Sequence, residues 1–373
     1  MNKKILYLFS DTGGGHRSAA TAIVHAVEHV YKKEIKQEMI DAFSQCSGFL
    51  NIFAKLYAPV IKYTPKLWGQ LYYWLDDQKK LEMLEKISGP FILNELKKLI
   101  EEMDPDVIVS VHPMVNHLTI NAIRQTGKKI PFIVVITDPV TLHRAWIVPD
   151  VDLTIVATDD AKKLAMQYGM PEEKIKICGM PIDPKFFLNT PWKQKARKKS
   201  KLKPDLFTVL MMGGGEGAGR MDEIIENLNQ LDLKIQVIVI AGRNKSLEQK
   251  LKKDISKYKF PLKVYGFTDK VPEIMAESDL IVTKAGPGTI AEAMAMNLPI
   301  IITSWLPGQE EGNVEYVTRE NVGKVSQDPE RVVEMIQEII TNNKVFEEMK
   351  ANILRASRPQ AAMDIAKEII AYL

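Results

Sequence analysis

Short, unbroken apolar runs separated by longer stretches of helical periodicity occur in two series along the chain, and no other feature narrows its fold more. In the first half the runs are Ile5–Phe9, Val107–Val111, Phe132–Ile136 and Leu153–Ala157; in the second they are Phe207–Met212, Gln236–Ile240, Leu280–Thr283 and Pro299–Thr303. A strand with one wet face alternates polar and apolar residues. Runs without alternation therefore predict strands buried on both faces, in parallel sheets covered by helices. Each series opens with a strand followed by a glycine cluster. The expected architecture is α/β, with two doubly wound, Rossmann-like units in tandem, which 373 residues accommodate.

The boundary is expected near 185–205, where Pro181, Pro184 and Pro191 punctuate the chain. The expected division is 1–185, 186–355 and a last helix over 356–373 that packs back on the N-terminal domain. Trp192–Lys203 is rich in Lys and Arg and contains no acid, which fits a solvated linker or a patch facing phosphate or lipid. With 46% apolar and 26% charged residues the chain can bury a core, and a net charge of +3 gives no broad nucleic-acid footprint. Cys46 and Cys178 have no metal-ligand spacing and fit a reducing compartment. The run Ile5–Phe9 is too short for a signal-peptide core, and no stretch approaches the roughly 18 apolar residues of a spanning helix. A cytoplasmic chain with at most surface contact to a membrane is expected.

Three glycine-rich segments follow predicted strands. The first, Ser10-Asp11-Thr12-Gly13-Gly14-Gly15-His16-Arg17-Ser18, precedes apolar residues at helical spacing and so lies at the carboxyl edge of a sheet, where such folds bind ligands. Glycine lets backbone N–H groups approach an anion there, and a helix N-terminus favours negative charge. No Gly-Lys-Ser/Thr follows, so it is not a Walker loop. His16 at that edge is placed either to accept a proton from a hydroxyl or merely to bond nearby backbone.

The second cluster, Gly213 to Gly219, suits close approach of backbone to a phosphate, of a nucleotide or a dinucleotide cofactor. In the third, Thr283-Lys284-Ala285-Gly286-Pro287-Gly288-Thr289-Ile290-Ala291-Glu292, a helix is expected to start near Thr289. That places Thr289 and Glu292 on one face, for pyrophosphate and ribose or as a capping box. Pro307-Gly308-Gln309-Glu310-Glu311-Gly312-Asn313 offers amides and carboxylates to sugar hydroxyls, or is an acidic helix start.

From Ala42 to Leu75 there is no acid, while Phe43, Phe49, Phe53, Tyr57, Tyr63, Trp68, Tyr72, Tyr73 and Trp74 alternate with Lys55, Lys62 and Lys66. Aromatic rings and ammonium groups together suit a lipid headgroup boundary better than a core helix pair, which would carry acids on its wet face. Asp104-Pro-Asp106 and Asp150-Val-Asp152 have the Asp-x-Asp spacing of metal-dependent transferases but precede strands. His25 and His29 lack a third ligand, and no metal is expected.

SDTGGGHRSA, TDPVTLHRAW (137–146), VTKAGPGTIAEA (282–293) and PGQEEGN (307–313) together resemble the monogalactosyldiacylglycerol synthase and processive diacylglycerol glucosyltransferase family, relatives of the peptidoglycan N-acetylglucosaminyltransferase. The likeness runs over essentially the whole chain. It implies a GT-B fold with two Rossmann-like domains facing a central cleft, residues 1–185 for acceptor and membrane and 186–355 for UDP-sugar. It further implies UDP-glucose or UDP-galactose as donor, diacylglycerol as acceptor, inversion at the anomeric carbon, no cofactor, and a peripheral place on the inner face of the cell membrane.

Carried over by motif, His16, supported by Asp11, would remove the proton of the acceptor hydroxyl. The donor set would be Gly214, Gly215, Arg243, Phe267 beside the uracil, Gly286, Gly288, Thr289, Glu292 on ribose, and Gln309 and Glu310 on the sugar. Gly14, Gly15, His143, Arg144, Trp146, Trp68, Tyr72 and Trp74 would meet the acceptor and anionic lipid. The helix near Thr289 would offset charge on departing UDP in place of a metal. Competing readings are a transferase to another lipid, a hydrolysing UDP-sugar epimerase, which has no use for the aromatic segment, and a UDP-sugar sensor without turnover.

Overall fold

The computed structural model describes residues 3–11, 14–31, 35–46, 64–188, 193–200, 202–215, 217 and 219–373. The strands are β1 Lys4–Phe9, β2 Lys36–Asp41, β3 Val107–Ser110, β4 Phe132–Val135, β5 Leu153–Val156 and β6 Ile175–Ile177, then β7 Phe207–Met212, β8 Ile235–Ile240, β9 Leu262–Tyr265, β10 Leu280–Lys284, β11 Ile300–Ser304 and β12 Gly323–Val325. They form two six-stranded sheets, ordered β2-β1-β3-β4-β5-β6 and β12-β11-β10-β7-β8-β9, with parallel pairing throughout. The order reverses between β1 and β3 in the first sheet and between β7 and β10 in the second, and a crevice opens at such a switch point beyond the strand ends.

Why β1 has no polar residue after Lys4 follows from its place. Ile5, Tyr7 and Phe9 pack with Ala20, Ile23 and Val27 of helix Gly15–Tyr31 and with Ala362, Ile365 and Ile369 of helix Ala361–Ile370. Leu6 and Leu8 point the other way, towards Ile92, Leu96 and Ile100 of helix Gln78–Met103, as the two-residue period of a strand requires. In the second sheet Val209, Met211, Val237 and Val239 pack against Ile224 and Ile225 of helix Met221–Leu228 and Val332 and Ile336 of helix Pro329–Thr341.

The chain divides into two compact units, one of Met1–Pro184, Leu306–Gly312 and Gln360–Leu373, the other of Lys185–Trp305 and Asn313–Pro359. Residues 306–312 thus group with the first unit, not with the C-terminal domain where the sequence placed them. The reason is close packing on helix Pro65–Leu75: a Cβ at Gly69 would lie 2.9 Å from Pro307, and one at Gly308 (φ +79) would lie 2.9 Å from the Tyr72 ring.

The basic stretch after the boundary is not simply solvated. Residues Lys193–Ser200 form a helix in which Ala196 and Arg197 are buried. Arg197 donates from Nε to the Glu277 carbonyl at 2.8 Å and from one terminal nitrogen to the Pro204 carbonyl at 3.0 Å, and it pairs with Asp279. Asp279 also accepts the Thr208 N–H at 2.7 Å, which ties the helix to the first strand of the second sheet.

Candidate active site

At the switch point of the first sheet, the segments leaving β1, β3 and β4 converge. Helix Gly15–Tyr31 begins immediately after the first glycine cluster, so His16 sits in its first turn. The His16 ring stands edge-on to His112, with centroids 4.5 Å apart, and 6.1 Å from Trp146. Its Nδ1 lies 3.2 Å from the Thr137 hydroxyl. Burial lowers His16 to about 4 against the raising effect of a hydrogen bond with the Val111 backbone, so the imidazole is neutral at physiological pH.

His112 was not singled out by sequence reasoning. Buried after β3, it is pushed well below its ordinary value by burial and then by His16. Its Nδ1 accepts the Met114 N–H at 3.4 Å. The available signal was a histidine one residue past an apolar strand, at the edge where ligands bind.

Asp11 does not support His16. Both its carboxylate oxygens accept from Arg17, Oδ1 from Nε and Oδ2 from a terminal nitrogen, each at 3.0 Å, in an exposed pair. Arg17, six residues on, lies within reach of Asp11 and rests over the Phe9 ring at 4.7 Å. The acid that does lie in this region is Asp138, after β4. The Trp146 indole N–H donates to its Oδ2 at 2.6 Å. Burial raises Asp138 to about 6; the Trp146 bond opposes the rise and the charge of Glu310 adds to it.

Trp146 is fully buried and His143 nearly so, which corrects their expected place at a lipid headgroup. His143 Nδ1 accepts the Ala145 N–H at 3.1 Å and its ring meets Tyr72 edge-on at 4.9 Å. The Arg144 guanidinium covers the Tyr168 ring at 4.0 Å, and the Arg144 N–H donates to Asp76 at 2.7 Å. The Tyr72 hydroxyl is buried and has no hydrogen-bond partner among the described residues. Glu310, also buried, accepts its own loop's Leu306 N–H at 2.9 Å, and Gln309 beside it is half-buried.

Of the acid-free aromatic segment, Phe49, Phe53, Tyr57, Tyr63, Lys55 and Lys62 lie outside the described residues. Phe43 is a core residue whose ring meets His112 at 4.8 Å. Helix Pro65–Leu75 keeps Leu67, Leu71, Tyr73 and Trp74 exposed, and Trp68 and Tyr72 are half-buried. Among the described residues no helix is long and apolar enough to cross a membrane. The Asp-x-Asp pairs are structural: Asp106 takes the Lys4 N–H at 2.8 Å, Asp152 takes the Phe132 N–H at 2.8 Å, and Asp104 ends a helix in the left-handed conformation. His25 is paired with Asp183 at 2.8 Å.

In the second unit the loops after β7 and β10 meet at the switch point. Not all of the glycines between 213 and 219 are there for a ligand. A Cβ at Gly217 (φ +64) would collide with the Ala241 carbonyl, so packing of the loop on its own neighbour explains that glycine. Gly214 and Gly215 differ, because their neighbours are cationic side chains. A Cβ at Gly214 would lie 3.1 Å from Lys284 Cε, and one at Gly215 would lie 3.5 Å from a terminal nitrogen of Arg243. The Arg243 N–H also donates to the Gly215 carbonyl at 2.8 Å. Lys284, which ends β10, reaches on to Gly286, with Nζ 3.8 Å from that residue's Cβ position.

Helix Pro287–Ala295 starts two residues earlier than the Thr289 expected, and its N-cap is Gly286, which supplies no side-chain bond. The capping-box arrangement is therefore absent. The first-turn amides remain for a ligand, with open space beside Gly288. Thr289 and Glu292 are half-buried on this turn, and the Asn313 side-chain amide donates to the Ala285 carbonyl at 2.9 Å, holding the loop. Phe267, after β9, is 67% exposed with the Arg243 guanidinium 5.1 Å over its ring. Lys284 went unremarked in the sequence because a lysine ending a strand has no signature of its own.

Two Rossmann-like domains with glycine loops at both switch points define the GT-B class of fold. MurG from Acinetobacter baumannii superposes with a TM-score of 0.65 at 14% identity, over 99% of each chain. The UDP-GlcNAc 2-epimerase from Neisseria meningitidis bound to UDP-GlcNAc superposes at 0.63 and 13%, over 99% of this chain and 100% of that one. MurG and an epimerase share the fold, so the fold by itself does not choose an activity. The sequence relationship is narrower: residues 16–182 match the monogalactosyldiacylglycerol synthase family and 208–369 the glycosyltransferase family 28 C-terminal domain. A probable monogalactosyldiacylglycerol synthase of Glycine max is 36% identical over 98% of this chain and 71% of that protein. Monogalactosyldiacylglycerol synthase 3 of Arabidopsis thaliana is 33% identical over 98% and 81%. The chain belongs to the monogalactosyldiacylglycerol synthase family.

Proposed function

We propose that this chain is an inverting glycosyltransferase that moves a hexose, galactose or glucose, from its UDP ester to the free hydroxyl of 1,2-diacylglycerol. The observation that carries the reading is family membership across 98% of the chain, with relatives named as galactolipid synthases. The residues present fit the chemistry. In the second unit, Gly214, Gly215, Gly288 and Thr289 offer backbone and hydroxyl groups to the diphosphate, and Lys284 and Arg243 bring positive charge to it. Glu292 serves the ribose and Phe267 stacks on the uracil. Positive charge and helix amides together stabilise the departing UDP, the part a metal plays in other transferases. In the first unit, His16, Asp138 and Tyr72 offer polar groups to the acceptor hydroxyl, with Gly14 and Gly15 beside them, and Gln309 and Glu310 supply groups for the sugar.

Exposed Leu67, Leu71 and Trp74 on an acid-free helix fit peripheral docking on the inner face of an anionic cell membrane. Leu71→Asp with Trp74→Asp should lower co-sedimentation with anionic vesicles while UDP binding is retained; unchanged co-sedimentation would remove this helix from the docking surface. Phe267→Ala should weaken UDP binding roughly tenfold, since stacking on an aromatic ring is worth about 1–3 kcal/mol per base. Calorimetric titration with UDP checks it, and an unchanged affinity would place the uracil elsewhere.

The direct test is incubation of the purified chain with diacylglycerol in micelles containing anionic lipid, with UDP-galactose and UDP-glucose supplied separately. Glycosyldiacylglycerol from either donor supports the reading, and the productive donor names the sugar. Free altered sugar would mark an epimerase, and UDP binding without product would mark a sensor.

A further inference from the structure

We infer that Gly69, Tyr72, Tyr73 and Thr141 are positioning residues for the donor hexose, because together they hold the loop 306–312 in place. The inference deepens the hexosyl-transfer reading above and rests on its assignment of Gln309 and Glu310 to the sugar.

The loop first closes on itself. The Glu310 N–H donates to the Leu306 carbonyl at 3.0 Å, and the Leu306 N–H donates to the Glu310 carboxylate at 2.9 Å. These bonds fix its internal shape but not its location in the first unit. Location is set by close packing at three buried glycines, Gly69, Gly308 and Gly312. Gly69 lies inside helix Pro65–Leu75, where glycine is a poor helix former, and a Cβ there would lie 2.9 Å from Pro307 Cβ and 3.4 Å from the Pro307 carbonyl oxygen. At Gly308 (φ +79) a Cβ would lie 2.9 Å from the Tyr72 ring and 3.4 Å from that of Tyr73. The Tyr73 hydroxyl donates to the Glu311 carboxylate at 2.5 Å. At the far end of the loop a Cβ at Gly312 would lie 2.7 Å from Thr141 Cγ2 and 3.1 Å from the Thr141 backbone nitrogen.

Gly69, Tyr72 and Tyr73 stand at i, i+3 and i+4, so they share one side of the helix. The exposed Leu67, Leu71 and Trp74, at i, i+4 and i+7, share the other. One side of the helix thus serves the loop. The segment after β4, through Thr141, grips the loop's other end. Hydrogen bonds to a sugar depend on placement, and a misplacement of about 1 Å, even by a residue that never meets the substrate, can cost about 10²-fold in rate. The four residues act through Gln309 and Glu310 in this way.

The experiment measures kcat and KM for UDP-galactose and UDP-glucose with diacylglycerol, and affinity for UDP by calorimetry. The chains compared are the unaltered one, Gly69→Ala, Pro307→Gly, these two combined, and Gln309→Ala. Gly69→Ala should lower kcat/KM for the productive donor by about 10–10²-fold and leave affinity for UDP, which has no hexose, where it was. Alanine favours the helix, so this loss runs against the change in helix propensity. Pro307→Gly removes the Cβ that the new methyl would meet, and in that background Gly69→Ala should cost less than about twofold. Such relief in the combined variant also shows that the substituted helix folds. The inference is overturned if Gly69→Ala stays within about twofold of the parent, if UDP and UDP-hexose weaken alike, or if the loss is equal in both backgrounds. Gln309→Ala tests the reading beneath it: kcat/KM should fall with UDP affinity unchanged, and no fall would remove the loop from the sugar and take the inference with it. Absence of glycolipid from the unaltered chain with both donors would overturn hexosyl transfer itself.

Discussion

Lys284→Met is expected to lower kcat for hexosyl transfer by about 10²–10³-fold, the usual cost of removing one preorganised charge or donor from a developing anion. The lysine ends β10, its stem lies against Gly214, and its ammonium reaches Gly286 at the start of helix Pro287–Ala295. Negative charge on UDP grows as the sugar departs, so a fixed cation there favours the transition state over the bound donor. The loss should therefore fall mainly on kcat. Affinity for UDP should drop while affinity for uridine, which has no phosphate, stays put. Steady-state rates and calorimetry with the two ligands check this. A variant within tenfold of the parent, or one that loses uridine and UDP equally, would show that Lys284 supports the loop and not the leaving group.

Arg197→Met should destabilise the C-terminal unit by about 3–5 kcal/mol, because removing one partner strands the other as a buried charge. Here the consequences reach further than one pair. The Glu277 and Pro204 carbonyls lose their donors at 2.8 and 3.0 Å, and Asp279 loses its counter-ion while still tied to the Thr208 N–H. Because Arg197 and Asp279 are both nearly inaccessible, with side chains 8% and 14% exposed, water cannot substitute freely. Urea unfolding followed by circular dichroism gives the measurement. A change below about 1 kcal/mol would mean the pair behaves as an ordinary surface salt bridge.

The same arginine shows where sequence reading stops. A run such as WKQKARKKSKLK looks uniformly wet, since nothing in its composition says which of its cations has a buried acid some eighty residues away in the chain. The strands show the converse. The eight apolar runs became the four central strands of each sheet, while β2, β6, β9 and β12, the four edges, were not anticipated. An edge strand is half-exposed, as the burial of KQEMID along β2 illustrates, and carries no continuous apolar signal.

The placing of candidate site residues was legible where they lay in short loops following apolar strands, as for His16 and the 286–292 turn. It was not legible where function hangs on three-dimensional partnership. Trp146 reads as a membrane aromatic until its indole is found on Asp138, and Asp11 reads as a partner of His16 until Arg17 claims it. The glycines after β7 likewise divide only once Gly217 is seen against Ala241 and Gly214 against Lys284.

Helix Ala361–Ile370 closes the core over β1 beside helix Gly15–Tyr31, so residues at the two extremes of the described chain share one hydrophobic face. On the ribosome this order matters. Ile5, Tyr7 and Ile23 emerge before that helix and must wait, without their final cover, until the C-terminal unit has been translated. The second sheet, contiguous but for the 306–312 excursion, can consolidate earlier, whereas the first can reach its finished packing only after residue 369 has left the exit tunnel. Nascent chains stalled short of that helix would leave an apolar face bare, and it is there that chaperones would be needed.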